Sequence, residues 1–241
     1  MSILQWLFDG TIPVGNSFLS VPEVLGNVFG LASAILGMKR WMLAWPIGLV
    51  GNVLLFFVFT TGSIAEIGDQ PLWGQAGRQI FFAAVSLYGW WRWSQEKRNG
   101  AGAGAAAITP RWATWSERGV LVGAGLVVWL ATWAVFTQIG SWNPPTEAWI
   151  VAGSMLATWG MARGWVEFWL VWIAVDVVGV WSLATSHYPA HATIGMYLFY
   201  AFFVVLGFFT WWRAASEDDG EPPLVHDWGT GEAAETGQVT A

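Results

Sequence analysis

The chain has 241 residues, of which 55% are hydrophobic, 17% aromatic and only 11% charged, and its mean hydropathy is +0.49. Soluble domains carry charge on about a quarter of their residues, so this composition points to an integral membrane protein. There is no cysteine, which excludes a disulfide framework, a thiolate metal site and a cysteine nucleophile, and the 3 histidines are too scattered for a metal centre. The net charge of −6 comes from acids gathered in the tail Ser216–Ala241, and no basic patch suggests nucleic acid.

In chain order, residues 1–20 are mildly apolar with Gly10, Pro13 and Gly15, and read as a short interfacial segment and a loop. The N-terminus MSILQWLFDG has neither a positive n-region nor a small-residue cleavage site, so no signal peptide is expected. Apolar runs then follow at Val21–Gly37, Trp41–Thr61, Gln75–Trp93, Gly119–Gln138, Thr146–Ala162, Glu167–Thr185 and Ala192–Trp212. About 20 such residues span a bilayer as a helix, so the reading is an all-α membrane protein of seven spans. Residues 94–118, with their low-complexity AGAGAAA stretch, read as a cytoplasmic linker, and 214–241 as a disordered acidic tail. Trp112 and Trp115 in the linker fit the inner membrane interface.

Nine of the 10 basic residues fall in alternate loops or at the span ends facing them, and Arg78 is the exception. By the positive-inside rule the N-terminus is expected outside and the C-terminus in the cytoplasm.

The sixth run, EFWLVWIAVDVVGVWSLAT, carries a single carboxylate near its middle, Asp176. A charge at that depth costs roughly 2.5–3.5 kcal/mol on insertion scales, so it is expected to face the protein interior or a wet cavity. Trp165, Trp169 and Trp172 precede it at helical spacing, predicting a face of indole rings that leads to the acid. The second run repeats the pattern with Trp41, Trp45, Gly48 and Asn52. Asn52 and Asp176 each lie about 15 Å along the helix from the basic end, near mid-membrane. Tyr197 and Tyr200 in the seventh run and Gln79 in the third add hydroxyls and an amide at comparable depth.

The third run ends LYGWWRW and the seventh LGFFTWWR, so residues 21–93 and 146–213 read as two three-helix units joined by a linker helix at 119–138. Units separated by four crossings share one orientation, which is a parallel repeat with substrate at the repeat interface. Two simpler readings compete. Tryptophans at helix ends mark the membrane interface, and Asn52 or Asp176 can serve as an interhelical hydrogen-bond partner without touching a ligand.

Taken together, WPIGLVGN at Trp45–Asn52, YGWWRW at Tyr88–Trp93, WLVWIAVD at Trp169–Asp176 and the Tyr197/Tyr200…Gly207…Trp211 pattern resemble the PnuC family of bacterial vitamin transporters, over roughly Gly26–Arg213. The resemblance implies a SWEET-like 3+1+3 helix fold in the bacterial plasma membrane and uptake of nicotinamide riboside by facilitated diffusion. It also implies trapping of the substrate by a separate intracellular kinase, and a homotrimeric assembly. In that pattern a second Gln often stands three residues before the glycine of the third span, where this chain has Ser86. Trp45, Asn52, Gln79, Trp169, Trp172, Asp176, Tyr197 and Tyr200 are the candidate substrate-binding residues. Indole faces attract a cationic ring, and amides and hydroxyls suit a ribose and a carboxamide. Thiamine or riboflavin would suit the same groups. No cofactor or metal is expected, and there is no GxxxxGK[ST] loop. A membrane scaffold whose tryptophans only anchor it is the non-transporting alternative. An enzyme is disfavoured, because no His or Cys lies within reach to partner Asp176.

Overall fold

The computed structural model describes residues 10–14, 17–61, 73–100, 106–141, 143–185 and 191–218. Seven helices run through them: α1 (Val21–Met38), α2 (Ala44–Thr61), α3 (Trp73–Arg98), α4 (Trp115–Gln138), α5 (Pro144–Arg163), α6 (Glu167–Ala184) and α7 (His191–Asp218). Among the described residues α1, α2 and α4 are long and apolar enough to cross a membrane on their own account. Because the helices alternate in direction, the α1–α2 turn, the end of α3, the start of α4, the α5–α6 turn and the end of α7 share one end of the bundle. Most of the Lys and Arg gather there, and it is called the basic end below.

The helix starts follow local chemistry. Ser20 caps α1 by accepting the Glu23 N–H at 3.3 Å, and Pro22 fills the first turn, where an N–H is dispensable. Thr114 and Glu117 form a reciprocal capping box, so α4 begins at Trp115, ahead of the expected Gly119. The α3 helix runs on through its polar last turn to Arg98, where Arg92 pairs with Glu96 at 3.1 Å. The second span begins at Ala44, which leaves Trp41 in the turn before it; Trp165 lies likewise in the turn before α6. Neither ring therefore belongs to a helical face, as the spacing had predicted. Ahead of α1, Thr11–Val14 (β1) and Ser17–Ser20 (β2) pair antiparallel, a hairpin where the sequence suggested an interfacial segment and a loop. The tail beyond residue 218 lies outside the described residues.

Each three-helix unit packs in chain order, α1 on α2 on α3 and α5 on α6 on α7. Small residues let α1 and α2 approach closely: a Cβ on Gly51 would lie 3.0 Å from the Gly26 carbonyl oxygen. Between the halves, α3 packs on α5, and α7 meets α1 over a shorter stretch. A parallel repeat requires these two contacts to be equivalent, since α5 and α7 stand in the second half where α1 and α3 stand in the first. The α4 helix lies along α5 and has no buried residue.

Matching positions confirm the repeat at single-residue register. Arg40, Trp41, Trp45, Gly48 and Asn52 correspond at one constant offset to Gly164, Trp165, Trp169, Trp172 and Asp176. Arg40 and Gly164 both adopt the left-handed conformation, with φ of 59° and 74°. Arg40 is the one non-glycine with positive φ among the described residues, and the repeated turn explains it. Residues 106–113, expected to be part of an open linker, are instead largely buried against both turns. Ala107 donates its N–H to the Arg40 carbonyl at 2.7 Å, and Arg111 donates to the Gly164 carbonyl at 3.0 Å.

Candidate substrate pathway

Four helices supply its inward faces. On α3 the helical repeat aligns Gln79, Ser86, Gly89 and Trp93; on α7 it aligns Tyr197, Tyr200, Val204, Gly207 and Trp211. On α2 and α6 the aligned residues are Trp45, Gly48 and Asn52, and Trp169, Trp172 and Asp176.

At the basic end these faces close on a cluster of indoles. Trp93 and Trp211, equivalent in the repeat, are both 0% exposed and lie with ring centroids 6.1 Å apart. Trp45 meets Trp93 edge-on at 5.1 Å, and Trp169 meets Trp211 edge-on at 6.2 Å. Each outer ring rests on a glycine. A Cβ on Gly89 would come within 2.5 Å of the Trp45 ring, and one on Gly207 within 2.3 Å of the Trp169 ring. Gly37 and Met161, another equivalent pair, also touch, which places the pseudo-two-fold axis through this plug. The Trp211 Nε1–H donates to the Gly37 and Met38 carbonyls at 3.2 Å each, tying α7 to the end of α1. Ala107 and Ile108 from the linker complete the core on which all four rings sit.

Deeper in the membrane the lining turns polar. Asn52 and Asp176 each lie seven residues beyond their gate tryptophan, about 10 Å along the helix axis. Asn52 donates from Nδ2 to Ser86 Oγ at a long 3.4 Å, an α2–α3 bond of the kind the interhelical reading anticipates. Asp176 is buried, and its Oδ2 has no hydrogen-bond partner among the described residues. Gln79, ten residues or about 15 Å beyond Gly89, is buried with Oε1 likewise unpartnered among the described residues. Trp172 packs against the plug and is partly buried, one helical turn short of Asp176. Tyr200 is also partly buried. Tyr197 lies in α7, but its side chain falls outside the described residues.

The predicted residues thus divide. Trp45 and Trp169 are plug residues clamped between a glycine and a second indole, whereas Asn52, Gln79, Trp172 and Asp176 lie farther along their helices from the basic end. Trp93 and Trp211, assigned from sequence to an interfacial belt, are core; their neighbours Trp90, Trp91 and Trp212 are exposed as a belt requires. The signal that separates them is a glycine four residues earlier, Gly89 and Gly207, in both halves. A hollow of about 300 Å³ between α3, α4 and α5, lined by Phe81, Val135, Phe136, Val151 and Met155 among others, lies on the flank and holds none of the candidate residues.

At the basic end the ion pairs form a separate cluster. Glu117 accepts from Arg111 at 2.7 and 2.8 Å and pairs with Arg163 at 3.2 Å, and Glu167 pairs with Arg118 at 2.7 Å. The Glu117 hydrogen bonds hold the Arg111 guanidinium above its ordinary pKa.

Residues 20–213 match the family model described as nicotinamide mononucleotide transporter. The chain is 31% identical over 217 residues to the riboflavin/roseoflavin transporter RibM of Streptomyces davaonensis, covering 89% of this chain and 95% of that relative. Its fold matches the crystal structure of the vitamin B3 transporter PnuC with a TM-score of 0.61 at 19% identity, over 81% of this chain and 82% of that one. The matched family and the relative are transporters and not enzymes, and the chain belongs to the nicotinamide mononucleotide transporter family, the family of PnuC.

Proposed function

We propose that this membrane protein carries a flat heteroaromatic vitamin with a hydroxylated arm down its gradient, with riboflavin as the leading cargo. The carrying observation is the arrangement at mid-membrane: Trp172 beside the plug, then buried Asp176 and Gln79 with oxygens left without protein partners among the described residues. An indole face and a flat ring stack over a large area. The amides of Asn52 and Gln79 offer both donors and acceptors to a ring edge, and a carboxylate accepts from arm hydroxyls. Likeness to RibM over nearly its whole length moves riboflavin ahead of nicotinamide riboside.

Nicotinamide riboside remains the second reading, favoured by Asp176. Its ring is cationic, and a buried carboxylate beside an indole would balance that charge. Asp176→Asn separates the two roles open to the carboxylate. Loss of affinity for the cationic riboside alone, with riboflavin spared, assigns the carboxylate to charge balance; equal binding of both by the variant assigns it to hydrogen bonding.

In this reading the basic end faces the cytoplasm, following the distribution of Lys and Arg, and the plug is the inner gate. The test is uptake of riboflavin and nicotinamide riboside into vesicles holding the purified protein, with ion gradients and membrane potential dissipated. Equilibration of either supports downhill carriage. Accumulation only under a gradient would replace it with coupled transport.

A further inference from the structure

We propose that residues 106–114 form a strap fixed to the second half and latched to the first at Arg40, and that this latch parts each time the basic end opens. The inference rests on the carrier reading.

The two turns the strap crosses are equivalents in the repeat, yet it holds them unequally. On the second half, Arg111 donates to the Gly164 carbonyl at 3.0 Å and accepts from the Val166 N–H at 2.9 Å, a two-sided backbone bridge opposite Trp165. The Ala113 N–H donates to both oxygens of Glu167 at 3.0 Å, and Arg118 Nε donates to the same carboxylate at 2.8 Å. Glu117 then binds Arg111 of the strap and Arg163 at the end of α5 together. Ile108 also fills the space over Gly164, where a Cβ would lie 2.6 Å from its Cδ1. On the first half, the tie is the 2.7 Å bond from Ala107 N–H to the Arg40 carbonyl. The rest of that contact is apolar, with Ala107 and Ile108 seated on the indole plug.

Two halves that rock about a two-fold axis move their equivalent turns apart. A single short strap spanning both turns cannot follow each of them. It parts where the Ala107–Arg40 bond and an apolar seat hold it, and it stays where backbone bridge, carboxylate clamp and ion pairs act together. Withdrawal of the first half from Ala107 and Ile108 would uncover the plug from the basic side. An otherwise two-fold carrier thereby gains one moving and one fixed partner for its gate.

The chain has no cysteine, so a pair introduced by Arg40→Cys and Ala107→Cys would be its sole thiols. Backbone groups bonded at 2.7 Å bring these two positions close enough for a disulfide. Oxidation of the double variant in vesicles should stop riboflavin uptake and reductant should restore it, while each single variant is indifferent to oxidant. Uptake by the oxidised form as fast as by the reduced form would overturn the proposal. A second arm uses the unaltered protein with no cargo, so it stands whatever the vitamin is. In amide hydrogen exchange, Ala107 should exchange faster than Arg111 and Val166. Equal or greater protection at Ala107 would show the latch to be as permanent as the bridge, and the proposal would fail.

Discussion

Gly207→Ala puts the packing of the gate to a quantitative test. In a helix interior, Ala is favoured over Gly by roughly 0.5–1 kcal/mol, so with space available the substitution should stabilise. There is no space here. The new Cβ would lie 2.3–2.5 Å from three atoms of the Trp169 ring. That ring is itself 5% exposed and enclosed by Phe168 and Trp211, at 4.4 and 6.2 Å between centroids. A rigid indole held on the far side cannot yield as a flexible chain would, and overpacking of this kind costs typically about 1–3 kcal/mol. The balance is a net loss of up to about 2.5 kcal/mol, or up to roughly 10 °C in Tm at about 2–4 °C per kcal/mol for a chain of this size. Gly89→Ala, facing Trp45, should lose a similar amount. Gly123→Ala is the internal control, because its position on α4 is exposed with nothing within 4 Å, and it should be neutral or stabilising. Thermal unfolding of the purified variants, followed by tryptophan fluorescence, reads all three. A higher Tm for Gly207→Ala than for the parent would refute the close ring–glycine packing.

Arg40→Gly should stabilise by about 0.5–1 kcal/mol, because a side chain in the left-handed region costs about 1–2 kcal/mol and glycine returns part of that gain through its freer unfolded chain; a drop in Tm would contradict it. Trp172→Ala should weaken vitamin binding by about 1–3 kcal/mol through lost stacking, whereas Trp90→Ala, 40% exposed at the basic end, should leave titrated affinity near the parent's. Reporter fusions after Arg213 and within Ser141–Glu147 should read cytoplasmic and external respectively; the reverse would invert the orientation drawn from Lys and Arg. Deletion of Ser216–Ala241 should leave uptake nearly unchanged, and complete loss would give the tail an active part.

The helices and their repeat were legible because both depend on local sequence. Apolar runs of membrane length mark the spans, and Trp45/Trp169 with Asn52/Asp176 keep one register. What was not legible depends on which side of a helix meets which neighbour. Trp90, Trp91 and Trp93 are adjacent in sequence, yet two face outward at 40% and 59% exposure and the third is wholly buried. Helix geometry separates their directions by about 60–160°, and composition alone is blind to that. The strap was missed for a related reason. AGAGAAAI reads as low complexity, but in its described part the small Ala106 and Ala107 are buried against the two turns. Its ties to Arg40, Gly164 and Val166 are backbone hydrogen bonds, which leave no trace in side-chain type.

Symmetry and its violations assign separate tasks to separate levels of the carrier. Where the two halves must close on each other, equivalents are near-identical: Trp45 with Trp169, Gly89 with Gly207, Trp93 with Trp211. A gate of this kind gains from equivalence, since each half seals against a copy of its own surface. At mid-membrane the equivalents diverge, Gly48 against Trp172 and Asn52 against Asp176. A ligand without two-fold symmetry needs that divergence, because identical walls would hold it equally well in two opposed poses and orient neither. Gly48 is packed against α1, its notional Cβ 2.6 Å from Ser33 Oγ, so α2 carries no ring at the position equivalent to Trp172. In the proposed reading Trp172 and the Asp176 carboxylate both come from α6, so cargo bound against them rides with the half to which the strap is fixed.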